Sequence, residues 1–298
     1  MKSHMTNLNR LLARQNFKDK KELEAFLNNL TGISLDDLSP MNLTPEEQAE
    51  DLVSEAYELS PAKAKKNIEK ALELNPNCIE AYEYLASIAK KAEKVLEMLN
   101  KGIAIGWEKF GGKFLKENKG VFWGIHETRP FMRCLYHKTE MLVLEGKTAE
   151  GVAIMEEMLE LNDHDNQGVR FPLLSALIIL GETEKFKKLN KTFADDKYSA
   201  SILYSRALFA FKTEGDSANA RKMLKEAFEK NPYVAKMLLD ADTPFTGVES
   251  YSLGTPEEAE VYLIYGIFAW YKTQGAIEWL WDTTEDFMRR EKLQKEKR

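Results

Sequence analysis

The sequence predicts an all-α fold: a right-handed superhelix of helix-turn-helix repeats, about six pairs in all. Three observations carry this. Strand signals are weak throughout, with no useful alternating apolar/polar run and no Asn-Gly hairpin turn. Helix starts are well marked. Short motifs recur at a fixed spacing.

The helix starts come first. "TPEEQAE" at 44 and "TPEEAEV" at 255 are nearly identical. Thr44 or Thr255 is placed to cap the first turn, Pro45 or Pro256 fits the first helical position, and Glu47 or Glu258 is placed to close a capping box. "SPAKAKKNIEKALEL" at 60 starts in the same way with Ser60 and Pro61.

The repeats follow. "ALELNPNC" (71–78) and "AFEKNPYV" (227–234) both end a helix at Asn-Pro. Before them, Ala64, Ile68 and Ala71, like Ala220, Leu224 and Ala227, form a small–large–small set on one face. Such a face admits a neighbouring helix closely. A glycine closes a helix in "VLEGKTAEG" (Gly146), "IILGETEKF" (Gly181) and "KTEGDSANA" (Gly215), at spacings of 35 and 34 residues. Glycine suits the left-handed closing position. A 34-residue helix-turn-helix period is that of the tetratricopeptide repeat.

This register gives an N-terminal helical extension at 1–43, a tetratricopeptide-like array at 44–287, and a charged C-terminal tail at 288–298. Units fall at about 44–77, 78–105, 128–163, 164–198 and 199–232, with a last pair at about 255–287. The stretch 107–127 interrupts the array, and 240–254 makes a second irregular link. The apolar run "VYLIYGIFAWY" (261–271) reads as a helix buried between neighbours, with Gly266 permitting close packing. It is far shorter than the roughly 20 apolar residues of a membrane span, so no membrane role is expected.

With "KKNIEKALELNPNCIEAYEYLA", "AFEKNPYVAKMLLDAD" and "GTPEEAEVYLIYGIFAWYKTQGAIEWL" in place, the chain resembles the suppressor-of-tumorigenicity-seven family and its soluble bacterial relatives over about residues 60–280. "ETRPFMR" (127–133) and "LNDHDNQGVR" (161–170) resemble segments of the bacterial proteins. The resemblance implies a helical-repeat fold and no settled biochemical activity. Its eukaryotic members are membrane proteins; that location does not carry over to a chain with no spanning segment.

Composition bounds the function. The 298 residues carry 42 basic and 48 acidic side chains, a net charge of −6. A general nucleic-acid binder needs a basic face instead. Two cysteines, Cys78 and Cys134, point to a reducing, cytoplasmic setting.

The chemical motifs fail one by one. Cys134 and His137 stand i and i+3, but a structural zinc site needs about four ligands. "NDHDNQG" (162–168) lacks the closing glutamate of a calcium loop and reads as a helix-capping turn. There is no phosphate loop and no serine nucleophile elbow. "TRP" at 128 opens a repeat helix, with Glu127 and Arg129 read as a local cap or ion pair. No catalytic, cofactor or metal residue is assigned.

The expectation is a non-catalytic interaction module that takes a protein or peptide on its concave face. The candidate contacts are Arg133, Tyr136, Glu140, Arg170 and Tyr204, all on first helices. The alternative is a metabolite-binding protein or enzyme that uses 107–127 as a lid over "ETRPFMR". Self-association through the aromatic C-terminal helices is the third reading.

Overall fold

The computed structural model describes residues 8, 10–12, 14–15, 17–33, 42–240, 246–248 and 250–295, with side chains as far as Glu285 and at Phe287. Parts of the expected extension (1–7, 9, 13, 16 and 34–41), link (241–245 and 249) and tail (296–298) lie outside the described residues. The described backbone is helical, and the one β-type pairing is an isolated bridge between Val121 and Asn162. The chain divides into two compact units, Met1–Lys109 and Phe110–Arg298.

The first unit contains α1 (Lys20–Asn29), α2 (Pro45–Ala56), α3 (Pro61–Leu74), α4 (Ile79–Ile88) and most of α5 (Ala92–Phe110). α2 starts with the full expected capping box: Thr44 accepts from the Glu47 amide, and the Glu47 carboxylate accepts from the Thr44 amide. α2 and α3 pair as a hairpin. Ala64, Ile68 and Ala71 are buried at its seam with Ala49 and Val53. Ser60 leads into α3 without a side-chain cap bond, so Pro61 alone marks that start. Arg10 ties the N-terminal segment to α2 through Glu50 at 3.0 Å and Asp51 at 2.9 Å.

The second unit opens with α6 (Gly112–Asn118) and two 3-10 turns, Phe122–Gly124 and His126–Thr128. Three hairpins follow in tandem: α7 (Arg129–Leu144) with α8 (Thr148–Leu161), α9 (Arg170–Leu180) with α10 (Thr183–Thr192), and α11 (Ala200–Glu214) with α12 (Ala218–Lys230). α13 (Pro232–Leu239), α14 (Pro256–Lys272) and α15 (Ala276–Lys295) complete it. The last helix continues into the stretch expected as a tail.

The marked glycines follow the first helices with positive φ, and Gly181 takes the expected left-handed conformation whereas Gly215, with ψ −153°, does not. Gly146, Gly181 and Gly215 follow the first helices α7, α9 and α11 with φ of 78°, 75° and 69°. Gly275, at φ 75°, lies in the turn after α14, in a "KTQG" that echoes the "KTEG" before α12, although α14 itself ends at Lys272 with Thr273 as its C-cap. Ala220, Leu224 and Ala227 are buried in α12, as their counterparts are in α3. A third copy of this face lies on α8 as Gly151, Met155 and Met158. There a glycine takes the small position, and a Cβ would stand 3.2 Å from Val143. Methionine at the second small position hid this copy from the sequence pattern. α10 departs from the rule: Phe186 fills its seam by stacking on Phe209, with ring centroids 3.9 Å apart.

Candidate partner interface

First helices of helical repeats share one face, and that face is the expected partner surface. Here α14 lies on it. α14 packs against α9, α11 and α13, and the Tyr136 hydroxyl of α7 donates to Tyr265 of α14 at 2.8 Å. Three consecutive first helices thus touch one helix of the same chain, a helix-in-groove arrangement formed in cis.

Aromatic rings hold it there. Tyr204 of α11 lies 5.9 Å from Tyr262 and 6.4 Å from Trp270, both on α14. Trp270 stacks on Trp279 of α15, which stacks on Phe211 of α11 at 4.4 Å. The Trp270 indole donates to the Tyr262 hydroxyl at 2.7 Å. Gly266 makes room for this: a Cβ there would stand 2.5 Å from the Tyr262 ring. The close approach expected at Gly266 is therefore with its own helix's tyrosine rather than with a neighbouring helix. Burial pushes the Tyr136, Tyr204, Tyr262 and Tyr265 phenols up, which keeps them neutral hydrogen-bonding groups.

A buried carboxylate completes the attachment. Glu258 is 2% exposed. It accepts from the Ala200 amide at 2.8 Å, the Gly254 amide at 2.7 Å and the Asn231 side chain at 2.9 Å. The first amides of a helix have no partner within it, so α14 supplies the missing acceptor for α11. The sequence reading placed Glu258 in a local capping box. Thr255 does accept from the Glu258 amide, but the Glu258 side chain serves the neighbouring Gly254 amide and two distant segments, at Ala200 and Asn231. Glu260, also buried, accepts from the Thr246 amide and hydroxyl and so pins the link before α14.

The five candidate contacts meet different fates. Tyr204 has no exposed surface, and its hydroxyl donates to the Asn231 carbonyl at 2.7 Å. It is a core residue, because the face it sits on is covered. Tyr136 is partly buried against Tyr265. Arg170 is committed to the turn: its guanidinium meets Asp165 at 2.9 Å and Asp196 at 3.4 Å and lies over the Phe171 and Phe193 rings. Asp165 in turn accepts from the Val169 and Arg170 amides, as the helix-capping reading of "NDHDNQG" expects. Burial raises the Asp165 carboxyl, and the Arg170 contacts oppose that. Arg133 is half-buried, and the Glu140 carboxylate accepts from His137 Nδ1 at 3.0 Å.

The other chemical readings are placed by geometry as well. Cys134 is fully buried while the His137 ring is half exposed. Among the described residues no group of three or more His, Cys, Asp or Glu is arranged to hold a metal ion. Among the same residues, no helix is long and apolar enough to cross a membrane. Part of the stretch expected as a lid packs inward: Phe122 is buried and packs with Phe110, Phe114 and Phe131 at centroid distances of 5.8–6.4 Å. Arg129 turns back onto Trp123, donating to its carbonyl at 3.0 Å with the guanidinium 5.6 Å from the ring centroid.

Between residues 261 and 271, what α14 leaves outside is apolar apart from the Tyr271 hydroxyl, which donates to the Leu238 carbonyl at 3.0 Å. Ile264, Phe268 and Tyr271 are 53%, 44% and 55% exposed, and Val261 is half-buried on the same face. The reading of 261–271 as buried holds for Tyr262, Leu263, Gly266, Ala269 and Trp270, and fails for this outer stripe. An all-apolar sequence signals burial on every side and cannot show which side stays open.

Comparison with known proteins adds three findings. No curated protein matches the chain. A solved structure described as "YrrB: a TPR protein with an unusual peptide-binding site" is 19% identical, covers 60% of this chain and 81% of its own, and superposes with a TM-score of 0.44. The family model that matches is that of Tcf25, described as "Transcriptional repressor TCF25", over residues 107–298. The family this match gives is Tcf25, not the suppressor-of-tumorigenicity-seven family that the quoted segments resemble. The Tcf25 match covers the whole second unit and well over half of the 298 residues, so the chain belongs to the Tcf25 family.

Proposed function

We propose that the chain is a non-catalytic helical-repeat module that binds a protein partner, and that the docking surface is the outer face of α14. One observation carries this: a helix whose inner face fills the repeat groove presents Ile264, Phe268 and Tyr271 to solvent on its other face. Large apolar side chains grouped on one exposed face mark interaction sites, and aromatic residues are favoured anchors there. Glu140 of α7 stays in the proposal as a polar neighbour of α14, since its charge acts on both Tyr136 and Tyr265, and half-buried Arg133 stays in it as a residue of the same first helix. Tyr204 leaves it.

The family's description as a transcriptional repressor favours a nuclear setting over the cytoplasmic one expected from composition. With a net charge of −6, the module's part in such an assembly would be contact with protein rather than with nucleic acid. The test is capture of proteins from the native host by the full chain and by Phe268→Asp. The reading expects capture to be lost in the variant while its helical content is kept. Equal capture by both would place the binding surface elsewhere.

A further inference from the structure

The α14 stripe supports a more specific reading, which rests on the partner-binding proposal above. Val261, Ile264, Phe268 and Tyr271 are spaced three, four and three residues apart, the spacing of a helix-packing seam. The set is symmetric about position 266. Ile264 and Phe268 lie two residues to either side, and Val261 and Tyr271 lie five. An antiparallel second α14, related by a two-fold axis at 266, sets Ile264 against Phe268 of the second copy and Val261 against its Tyr271.

The charges follow the same symmetry. From 261 to 271 the helix carries no charged residue. Exposed Glu257 lies in its first turn and exposed Lys272 in its last. Antiparallel pairing brings Glu257 of one copy to within three residues, about 4.5 Å along the axis, of the position of Lys272 in the other. That separation is within reach of the two side chains. A parallel arrangement would set like charge against like.

We infer that the occupant of this face is a second copy of the chain, docked antiparallel through α14. A two-fold interface must be self-complementary, and this stripe is so in both apolar spacing and end charge. An acid in the first turn and a base in the last also suit the helix dipole; a charge exchange separates that cause from pairing across copies.

The experiment is sedimentation of the full chain from low- to high-micromolar concentration. The expected result is a concentration-dependent dimer. Phe268→Asp and Ile264→Glu should be monomeric, with circular dichroism showing unchanged helical content. Glu257→Lys and Lys272→Glu should each weaken the dimer severalfold, and the two together should restore it. A monomer at every concentration overturns the inference, as does a dimer that survives both stripe variants. A double exchange that fails to restore association overturns the antiparallel register. A monomer whose capture of another protein is lost in Phe268→Asp sinks the second-copy inference and leaves the docking surface standing. Failure of both assays sinks the two together.

Discussion

Asn75 and Asn231 each end the second helix of a hairpin, and each precedes a proline. Their backbones match: φ −141°, ψ 95° at Asn75 and φ −148°, ψ 91° at Asn231. Asn162 ends α8 in a similar conformation. The surroundings differ. Asn75 is half-buried, and its side chain accepts from the Asn77 amide at 3.0 Å, a bond within its own turn. Asn231 is fully buried. It accepts from the Tyr233 amide, donates to the Thr255 carbonyl and to Glu258, and its carbonyl receives the Tyr204 hydroxyl. One local motif closes a turn in the first unit and anchors the groove-filling helix in the second. What separates them is a partner 27 residues further along the chain.

The comparison breaks most readily at its centre. Glu258→Ala removes the acceptor for the Ala200 amide, the Gly254 amide and the Asn231 side chain. Donors left buried without partners make this the costliest change, about 3–5 kcal/mol by equilibrium denaturation. Asn231→Ala should cost about 2–4 kcal/mol, because it also leaves part of a buried carboxylate unpaired. Asn75→Ala, the matched change in the first unit, should cost about 1 kcal/mol or less. Equal losses at Asn75 and Asn231 would remove the distinction between them.

The small-residue faces test what the two regions share. Ala71 and Ala227 are both fully buried, and leucine at either overpacks the seam by about 1–3 kcal/mol. A loss at one site alone would mean that the two hairpins are not built alike. The smallest effect concerns the residue just after the Asn75 turn. Burial, then the nearby Glu80 charge, pushes the Cys78 thiol up to about 12. Cys78 should therefore resist alkylation at pH 8 in the folded protein and react only on unfolding, as read by mass spectrometry.

The pattern of these sites explains what the sequence could show. Closing glycines, proline starts and small–large–small faces depend on residues within one turn of each other. Thr44, Ala71, Ala227, Gly146, Gly181 and Gly215 were all legible for that reason. The candidate interface depends on pairing between distant segments. "TPEE" looks the same at 44 and at 255, yet Glu47 stays in its own cap while Glu258 reaches α11 and α12. The register correctly puts Tyr204 on a first helix and so points to a groove contact; nothing local shows that α14 covers that helix. The outer stripe of α14 was hidden because the helix is apolar on both faces.

The central claim is that α14 fills the groove of its own repeats, and the Ala200 amide reports on it most directly. At the first position of α11 this amide has no acceptor within its own helix, and Glu258 of α14 is its partner at 2.8 Å. Residue-resolved hydrogen exchange of the full chain should find Ala200 strongly protected, and Glu258→Gln should reduce that protection. Exchange at the rate of an open helix end in the wild-type chain would mean that α14 does not occupy the groove.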